Sequence, residues 1–376
     1  MIWIIGGADV LRSFAVMTKQ KWLVPQFEHI DWAGLHFYDV IFPLFIFIVG
    51  VSSVFSLSKS LEQAGRVATV KKVIQRSLIL YFLGFLFSGG MSSRWPDIHF
   101  VGVLQRIAAA YCAAGLIFCW FKPRAMFAIC VALLIGYDAV MTFVPMRDIH
   151  LDKKVFDQIT AQTGKKDPAK IFLSTTNWTS GKFERGYNLA NQIDLEYLPG
   201  FKGYGYYDPD GLLSTIPVIA TCLLGVFAGL LLRGNLADKT KLQYLCISGA
   251  VAIVLGLVWA LHFPIVKRLW SPSFVLVTGG ISAVALAAFY WLIEVKKIDF
   301  WCSPFVWVGM NAITIYFGKC LVDYAGLANR FVGGDIKKFL NANVAGAGDV
   351  LVSVVGLLIA LWICRFLYRR KIFLRI

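Results

Sequence analysis

The densest cluster of side chains that could do chemistry is a short stretch around His29. Glu28 and Asp31 flank this histidine, Trp32 follows it, and Asp39 comes just before a long apolar run. An imidazole with an ordinary pKa of about 6.5 is largely neutral near pH 7, so it can act as a general base or as a nucleophile. The alternative is that His29 is a solvated loop residue and that Asp39 only complements the positive end of the helix that follows.

The chain around this cluster is too apolar for a water-soluble fold. Of its 376 residues, 58% are hydrophobic and only 16% are charged. Apolar runs long enough to cross a hydrocarbon core of about 30 Å recur along most of the sequence. The predicted spans are 2–18, 39–58, 74–90, 100–121, 125–145, 212–232, 242–261, 273–292, 304–325 and 346–368. We therefore predict an all-α, polytopic membrane protein of about ten transmembrane helices with one large extracytoplasmic loop.

The large hydrophilic segment 146–211 separates five predicted helices from five. We predict that 1–145 holds the first five helices with a catalytic outer loop at 19–38, that 146–211 is extracytoplasmic, and that 212–376 holds the last five helices. The aromatic, Gly-rich sequence at 200–207 favours an ordered lid of a kind that suits a sugar. The alternative is that the segment only connects the two groups of helices. The division into five and five helices would equally serve a transporter.

The distribution of basic residues predicts the orientation in the membrane. If the N-terminus is cytoplasmic, the short inner loops and the C-terminal tail hold many more Lys and Arg residues than the short outer loops. We therefore expect both termini in the cytoplasm, His29 on the outer side, and a bacterial inner membrane as the location. The net charge of +15 follows from this topology, so no nucleic-acid partner is predicted.

The cysteines predict neither a disulfide framework nor a metal site. All eight lie within or at the boundary of predicted helices, and the sequence has no Cys-x-x-Cys pair or histidine cluster. We expect the lipid bilayer, and no metal, as a partner of the chain.

Ionisable residues inside predicted spans are costly and therefore are candidates for function. They are Asp9, Asp39, Arg106, Asp138, Lys319 and Asp323. A helix rises about 1.5 Å per residue, so the distance of a residue from the end of its predicted span gives its depth in the bilayer. By this measure Arg106, Asp138 and Lys319 could converge in the outer half of the bilayer. Lys319 and Asp323 are four residues apart on one predicted helix, so the alternative for them is a neutralising pair.

Four stretches of the chain form motifs of distinctive spacing. The pattern around the histidine consists of His29, Trp32, Gly34, Asp39, Phe42, Pro43, Phe45, Phe47 and Gly50. The further stretches are 102–108, 208–217 and 307–312. These four stretches resemble the heparan-α-glucosaminide N-acetyltransferase family, a lysosomal transmembrane enzyme and its bacterial relatives. The resemblance covers nearly the whole chain, and segment 146–211 carries the least of it.

The resemblance implies a transmembrane acyltransferase that moves an acetyl group from acetyl-CoA to the amine of a glucosamine-type sugar at the outer face. It implies His29 as base or acetyl carrier, with Asp39 and Asp9 as further catalytic residues. The residues expected to bind the substrate or the donor are Trp32, Gln105, Arg106, Asp210, Asn311, Lys319 and Arg76. Family resemblance also implies a homodimer.

The chain departs from the family pattern at its N-terminal end. The family carries an Asn near the outer end of helix one, where Asp9 is the nearest polar residue here. The Leu-Asp-x-x-Arg-Gly run that the family usually carries just upstream of this helix does not stand in this sequence, which leaves open whether Met1 is the natural start. The rival function is a permease for sugars or their derivatives, which would have little use for His29 beside Trp32.

Overall fold

The computed structural model describes residues 1–92, 94–163 and 167–373. The chain forms two compact units: the first consists of Met1–Asp31, His36–Ile41 and Phe289–Ile376, and the second of Trp32–Leu35 and Phe42–Ala288. The α-helices in chain order are α1 (Ala8–Met17), α2 (Phe37–Phe87), α3 (Val103–Trp120), α4 (Pro123–Phe143), α5 (Lys153–Thr163), α6 (Pro168–Ser174), α7 (Leu189–Tyr197), α8 (Ile216–Arg233), α9 (Asp238–Trp259), α10 (Pro272–Tyr290), α11 (Ser303–Met310), α12 (Ala312–Leu321), α13 (Tyr324–Val332), α14 (Asp335–Asn343) and α15 (Ala347–Arg369).

Short elements complete the described secondary structure. Trp3–Gly7 and Trp291–Val295 are π-helical, while Val24–Phe27, Trp95–Asp97 and Leu213–Thr215 are 3₁₀ turns. Strand β1 (Met146–Arg147) pairs antiparallel with β2 (Trp178–Thr179), placing Met146 opposite Thr179. Strand β3 (Phe183–Glu184) pairs antiparallel with β4 (Tyr187–Asn188).

Seven helices of the described chain are long and apolar enough to cross a membrane. They are Phe37–Phe87, Val103–Trp120, Pro123–Phe143, Leu213–Arg233, Asp238–Trp259, Pro272–Val295 and Ala347–Arg369. These seven helices correspond to eight of the ten predicted spans, because α2 covers 39–58 and most of 74–90. The prediction of a predominantly helical membrane protein is thus supported, whereas its count of ten crossings stays a prediction.

The long helix α2 is interrupted at one glycine. Its 51 residues run through the predicted connection between two spans, but Gly65 has φ of 76° and leaves the helical conformation. A side chain at positive φ would be strained, so a glycine is the residue that permits this break. Helix α2 therefore consists of two helical segments that meet at Gly65.

The predicted span 304–325 is wrong as a single helix. Asn311 breaks it with non-helical backbone angles, α12 ends at Leu321, and Asp323 begins the next helix as its N-cap. The Asp323 carboxylate accepts a hydrogen bond from the Gly326 N–H at 2.9 Å, which satisfies one of the unpaired donors of that helix start. Lys319 and Asp323 therefore do not share the face of one helix, because a helix end separates them.

The first unit is built around the C-terminal helix α15, which packs against α1, α11, α13 and α14. Its core includes buried Ile5, Val308, Ile315, Tyr324 and Ala360. The predicted span 2–18 lies here as a short π-helical segment followed by α1, with Gly6 in a non-helical conformation at φ of 134°.

The second unit places α8 against α3 and α4, and very close to α2. A Cβ added at Gly50 of α2 would collide with the Cys222 carbonyl of α8, and one added at Gly225 of α8 would collide with the Phe47 carbonyl of α2. Small residues at helix interfaces let two backbones approach to van der Waals contact. The last glycine of the sequence pattern around His29 thus has a packing role.

Segment 146–211 contains α5, α6, α7 and all four strands. It has its own core of buried side chains from Ile149, Phe156, Ile171, Phe172 and Tyr207. Packed apolar side chains make this segment a folded part of the second unit.

Candidate active site

His29 and Asp39, two of the three predicted catalytic residues, form a direct pair in the first unit. Nδ1 of His29 lies 2.7 Å from Oδ1 of Asp39. The Asp39 side chain is fully buried, whereas 40% of the His29 side chain is exposed. A buried carboxylate therefore holds one nitrogen of an imidazole that solvent can reach.

The local sequence explains why Asp39 is held so firmly. His36 precedes α2, and Asp39 is the third residue of this helix; its Oδ2 accepts the backbone N–H of His36 at 3.2 Å. This is the reciprocal half of a capping box, in which a carboxylate in the first turn reaches back to the residue before the helix. The same Oδ2 also accepts the N–H of Ile30 at 3.2 Å. Asp39 thus both caps the helix and holds the imidazole. From the sequence, these two roles were alternatives.

The pair defines which nitrogen of His29 can take a proton. A carboxylate that accepts from Nδ1–H stabilises the tautomer whose lone pair is on Nε2. Tyr38 packs its ring on the imidazole with 4.6 Å between the ring centroids, which further restrains the ring. The arrangement is able to act as a general base or a nucleophile through Nε2.

A polar cavity of about 640 Å³ lies beside α1 in the first unit. Asp9, the third predicted catalytic residue, lines it with Asp323, Asp349 and Arg12. Arg12 forms an ion pair with Glu28 at 2.6 Å, and Glu28 immediately precedes His29 in the chain. Asp9 therefore lies on the wall of this cavity, and the ion pair between Arg12 and Glu28 connects the same wall to the loop that carries His29.

Trp32 is anchored in the second unit. Its indole N–H donates to the Phe183 carbonyl at 2.8 Å, and the neighbouring Ala33 forms a β-bridge with Val266. This part of the histidine loop is thus attached to segment 146–211 and to the connection between α9 and α10.

Arg106 and Asp210, both predicted to bind ligand, are brought together in the second unit. The Arg106 side chain is 2% exposed, and its Nη1 lies 3.3 Å from Oδ1 of Asp210. Its Nη2 donates to Ser214 Oγ at 2.6 Å, and its guanidinium lies 5.3 Å from the Trp270 ring centroid. Arg106 finds its carboxylate on the 208–217 motif, and Asp138 instead lies 3.6 Å from Nε2 of His262. Arg106 and Asp138 thus have different ion-pair partners, and their convergence stays a prediction.

A second histidine–aspartate pair, which the sequence analysis missed, adjoins Arg106. Nε2 of His99 lies 2.9 Å from Oδ2 of the buried Asp208. The hydrogen bond to Asp208 raises the pKa of His99, against the effect of burial. Burial opposes ionisation of Asp208, yet the hydrogen bonds from His99 and from the N–H groups of Gly203 and Asp210 keep its pKa below the ordinary value. Its signal in the sequence was position, because Asp208 begins the 208–217 motif and His99 lies three residues before the 102–108 motif.

Asp194 completes this buried network. Its carboxylate accepts the Leu212 N–H at 2.9 Å and packs directly against Gly211. Burial raises the pKa of Asp194 to about 7, although the backbone hydrogen bonds and Arg106 favour its charged form. The network stabilises the 208–217 motif against α3 and α7.

The other predicted site residues are distributed over both units. Gln105 and Asn311 are buried, and Nε2 of Gln105 and Oδ1 of Asn311 have no hydrogen-bond partner within the described residues. Arg76 of α2 places its guanidinium 5.4 Å from the Tyr111 ring centroid. The side chain of Lys319 lies outside the described residues.

A basic cavity of about 510 Å³ adjoins the break in α2. Lys59 and Lys72 line it together with Ser60 and Gln63. Ammonium and hydroxyl donors of this kind fit the phosphates of a nucleotide. In the described parts of the chain, no three His, Cys, Asp or Glu side chains gather as metal ligands would.

The first part of the chain matches a known protein family. Residues 9–153 match the family model described as heparan-alpha-glucosaminide N-acetyltransferase, catalytic. The predicted family resemblance is confirmed. The matched region contains the His29–Asp39 pair, Arg76 and Arg106.

Two curated relatives carry the same family name. The heparan-alpha-glucosaminide N-acetyltransferase of Mus musculus is 28% identical over 408 residues, covering 99% of this chain and 59% of the relative. The Homo sapiens protein of that name is 28% identical over 382 residues, covering 93% of this chain and 56% of the relative. The chain thus spans less than two thirds of the length of these relatives.

Proposed function

We propose that this chain is a membrane N-acetyltransferase that moves an acetyl group from acetyl-CoA to the amine of a glucosamine-type sugar at the outer face of a bacterial inner membrane. The observation that carries the proposal is the contact of 2.7 Å between His29 Nδ1 and the buried Asp39 carboxylate. It is supported by the match of residues 9–153 to an acetyltransferase family model.

The reaction needs a group that takes a proton from the sugar amine. In direct transfer, Nε2 of His29 accepts this proton while the amine nitrogen attacks the thioester carbonyl. The C–N bond forms, the C–S bond breaks, and the proton held by His29 passes to the departing thiolate. Asp39 stabilises the imidazolium that exists between these two proton transfers.

The two-step route uses the same atoms in a different order. Nε2 of His29 attacks the thioester carbonyl, so that an N–C bond forms, the C–S bond breaks and coenzyme A leaves as the thiolate. The sugar amine then attacks this acetyl-imidazole: its C–N bond forms, the bond from the acetyl group to Nε2 breaks, and the proton that the amine loses passes through Nε2 to the thiolate. This route suits a donor and an acceptor on opposite sides of the membrane. Both routes require the tautomer that Asp39 stabilises, so both assign Asp39 a positioning role.

The cavities supply candidate sites for the two substrates. An amino sugar is cationic when its amine is protonated, and the cavity beside α1 carries the carboxylates of Asp9, Asp323 and Asp349. The donor is polyanionic, and Lys59 and Lys72 on the basic cavity beside Gly65 would hold its phosphates. We propose Asp9 as an acceptor-binding residue on this basis.

The deciding experiment incubates purified full-length chain in detergent with labelled acetyl-CoA and glucosamine, comparing wild type with His29→Ala. General-base catalysis contributes about 10²–10⁴-fold, so His29→Ala should lower the transfer rate by that factor while the melting temperature is kept. His36→Ala is the matched control, because His36 lies in the same loop and holds no carboxylate. Absence of transfer to any of a panel of amino sugars, together with sugar uptake in proteoliposomes, would identify a permease.

An incubation of the chain with labelled acetyl-CoA and no sugar distinguishes the two chemical routes. If labelled acetyl becomes attached to His29 when no sugar is present, the two-step route holds. Absence of label in a protein that transfers acetyl to glucosamine identifies direct transfer.

A further inference from the structure

An elongated apolar groove lies among four of the helices that are long and apolar enough to cross a membrane. It measures about 600 Å³ and is lined by residues of α4, α8, α9 and α10, together with Phe47 of α2. All of these residues belong to the second unit. None of them was a predicted site residue, and none takes part in the reaction proposed for His29.

One face of α9 forms the length of the groove. Its lining residues follow at intervals of three or four, which is the spacing of one helix face: Leu245, Ser248, Ala252, Leu255 and Trp259. From Tyr244 to Trp259 this face extends about 22 Å, at about 1.5 Å per residue. One leaflet of the hydrocarbon core is about 15 Å thick, half of about 30 Å. The groove is therefore long enough for an extended acyl chain.

Glycines bring the helices together along the groove. A Cβ added at Gly280 of α10 would lie 2.5 Å from the Gly249 carbonyl oxygen of α9, and one added at Gly279 would lie 2.6 Å from Leu224 of α8. Small residues let helices approach this closely. The further small lining residues are Ala228, Ala252 and Ala283. Because these residues carry a methyl group at most, the helices leave a depression that their own side chains do not fill.

The exposed lining residues of α4 and α9 are apolar. Phe127 and Ile135 of α4 and Val251 and Leu255 of α9 are each at least 50% exposed. Both helices are long and apolar enough to cross a membrane, so lipid tails are the medium that reaches these side chains. An unfilled apolar depression forfeits dispersion contacts with the atoms that line it, and a hydrocarbon chain supplies them.

The hydroxyl groups of the lining are in the first half of α9. Tyr244 and Ser248 carry them, and both residues are exposed. Lys241 stands three residues before Tyr244 on the same helix face, just beyond the groove. Its Nζ donates to the Leu232 carbonyl at 2.9 Å. An ammonium group carries three donors, so Lys241 can hold a phosphate oxygen as well.

We infer that this groove holds one acyl chain of a membrane phospholipid, whose headgroup lies beyond Tyr244 beside Lys241. The apolar length takes the chain, the hydroxyl groups stand where hydrocarbon gives way to headgroup, and the positive charge complements the phosphate. A second copy of the protein fits less well, because an isologous contact places the same basic face on both sides. Lipid binding does not depend on the proposed transferase activity and is measured without turnover.

The test is native mass spectrometry of the purified full-length chain in detergent with three probes: dioleoylphosphatidylglycerol, dioleoylphosphatidylcholine and glycerol 3-phosphate. The first phospholipid should bind at least about 10-fold more tightly than the following ones, equivalent to about 1.4 kcal/mol, because later lipids only cover the outer surface of the helices. Glycerol 3-phosphate has the phosphate but no acyl chain and should bind far more weakly, since each buried CH₂ group contributes to affinity.

Substitutions at two positions of α9 identify the groove. Ala252→Phe places a ring in the groove and should weaken the first phospholipid about 10-fold or more, because the ring takes the volume of the chain. Ala252→Leu adds less volume and should weaken it less, and it keeps the test decisive if the ring prevents folding. Ala250→Phe, the matched control, adds the same ring at an exposed position outside the groove and should change nothing.

A second pair of variants tests the headgroup. Lys241→Gln should weaken dioleoylphosphatidylglycerol about five-fold, by the contribution of one basic residue near an anionic lipid, and should weaken dioleoylphosphatidylcholine less. Lys239→Gln removes an exposed ammonium two residues away, on another face of α9, and should leave the binding of both lipids unchanged.

Three results would overturn the inference: a first phospholipid no tighter than the later ones, glycerol 3-phosphate as tight as the phospholipids, or equal lipid binding in Ala252→Phe and Ala250→Phe. In the third case, light scattering that shows a dimer converted to a monomer by Ala252→Phe would identify the groove as a contact between copies.

His29→Ala should bind the phospholipids as wild type does. Loss of acetyl transfer with lipid binding kept therefore concerns the proposed function alone, and the opposite result concerns only this groove.

Discussion

Each of the two units contains a histidine whose ring nitrogen contacts a fully buried aspartate, and the two histidines differ in their exposure to solvent. In the first unit, Asp39 holds Nδ1 of a His29 side chain that is 40% exposed. In the second unit, Asp208 holds Nε2 of a His99 side chain that is 23% exposed. Both carboxylates are buried, so the difference lies in the imidazoles and in what surrounds them.

The two aspartates, Asp39 and Asp208, also differ in the groups that contact them. Asp39 is fixed by two backbone N–H groups at the start of α2, and the His29 ring stands at an exposed loop. Asp208 belongs to a network with Asp194, Asp210 and Arg106 that connects α3 to the segment before α8. We therefore expect a histidine in contact with a fully buried aspartate to serve catalysis where its imidazole is reachable, and to stabilise the fold where it is enclosed in a network.

The largest expected effect is on transfer activity, and it should separate the two pairs. Asp39→Asn keeps the shape of the side chain but presents an amide that no longer stabilises the imidazolium, so the rate should fall by about 10²-fold or more. His99→Gln should leave the rate within about two-fold, since the hydrogen bond to the charged Asp208 carboxylate, worth about 1.5–3 kcal/mol, affects folding alone. Initial rates with labelled acetyl-CoA and glucosamine measure both. Equal losses in the two variants would contradict the division of roles.

The next effect concerns the stability of the second unit. Arg106→Met leaves Asp210 without its guanidinium, and breaking a buried ion pair costs about 3–5 kcal/mol. Arg233→Met is the matched control, because Arg233 pairs with Glu62 at the surface, where both side chains are at least 43% exposed and such pairs contribute about 0–1 kcal/mol. Unfolding in detergent, followed by circular dichroism, compares the two variants. A similar loss in both would mean that Arg106 is a ligand-binding residue rather than a structural one.

The smallest effect, counted per pH unit, is a dependence of stability on pH that belongs to the buried network around His99 and Asp208. Asp194 keeps its proton in the folded chain up to pH about 7 but loses it near 3.8 when unfolded, so the free energy of unfolding falls as pH rises across this range. The raised pKa of His99 acts in the same direction: its bond to Asp208 contributes fully below pH 6.5 and is lost as pH rises through the higher folded value. One group contributes at most about 1.4 kcal/mol per pH unit.

Asp194→Asn should therefore flatten the decline in melting temperature between pH 5 and pH 7. Asp157→Asn, at an exposed position of α5, is the control and should follow the wild-type curve. A profile of Asp194→Asn that coincides with wild type would show that the carboxyl is ionised in the folded chain throughout.

Local patterns were enough to predict several parts of the fold. Apolar runs predicted the helices from α3 to α4 and from α8 to α10 within a few residues, because length and hydropathy alone specify such helices. Breaks inside apolar sequence were harder to predict. Gly65 and Asn311 lie in or beside helical patterns, and their interruptions depend on backbone angles that hydropathy does not encode.

Residue types and their spacing were enough to show that this chain is apolar enough for a membrane, that His29 and Asp39 belong to one family-like pattern, and that Arg106 is a costly charge inside a predicted span. The packing of the chain was needed to show that Asp39 both caps α2 and holds His29, that Asp210 pairs with Arg106, and that His99 meets Asp208. These features differ in how far apart their residues lie in the sequence. Asp39 reaches the His36 N–H three residues away through local helix geometry, whereas His99 and Asp208 are 109 residues apart and meet only because the packing of the second unit brings them together.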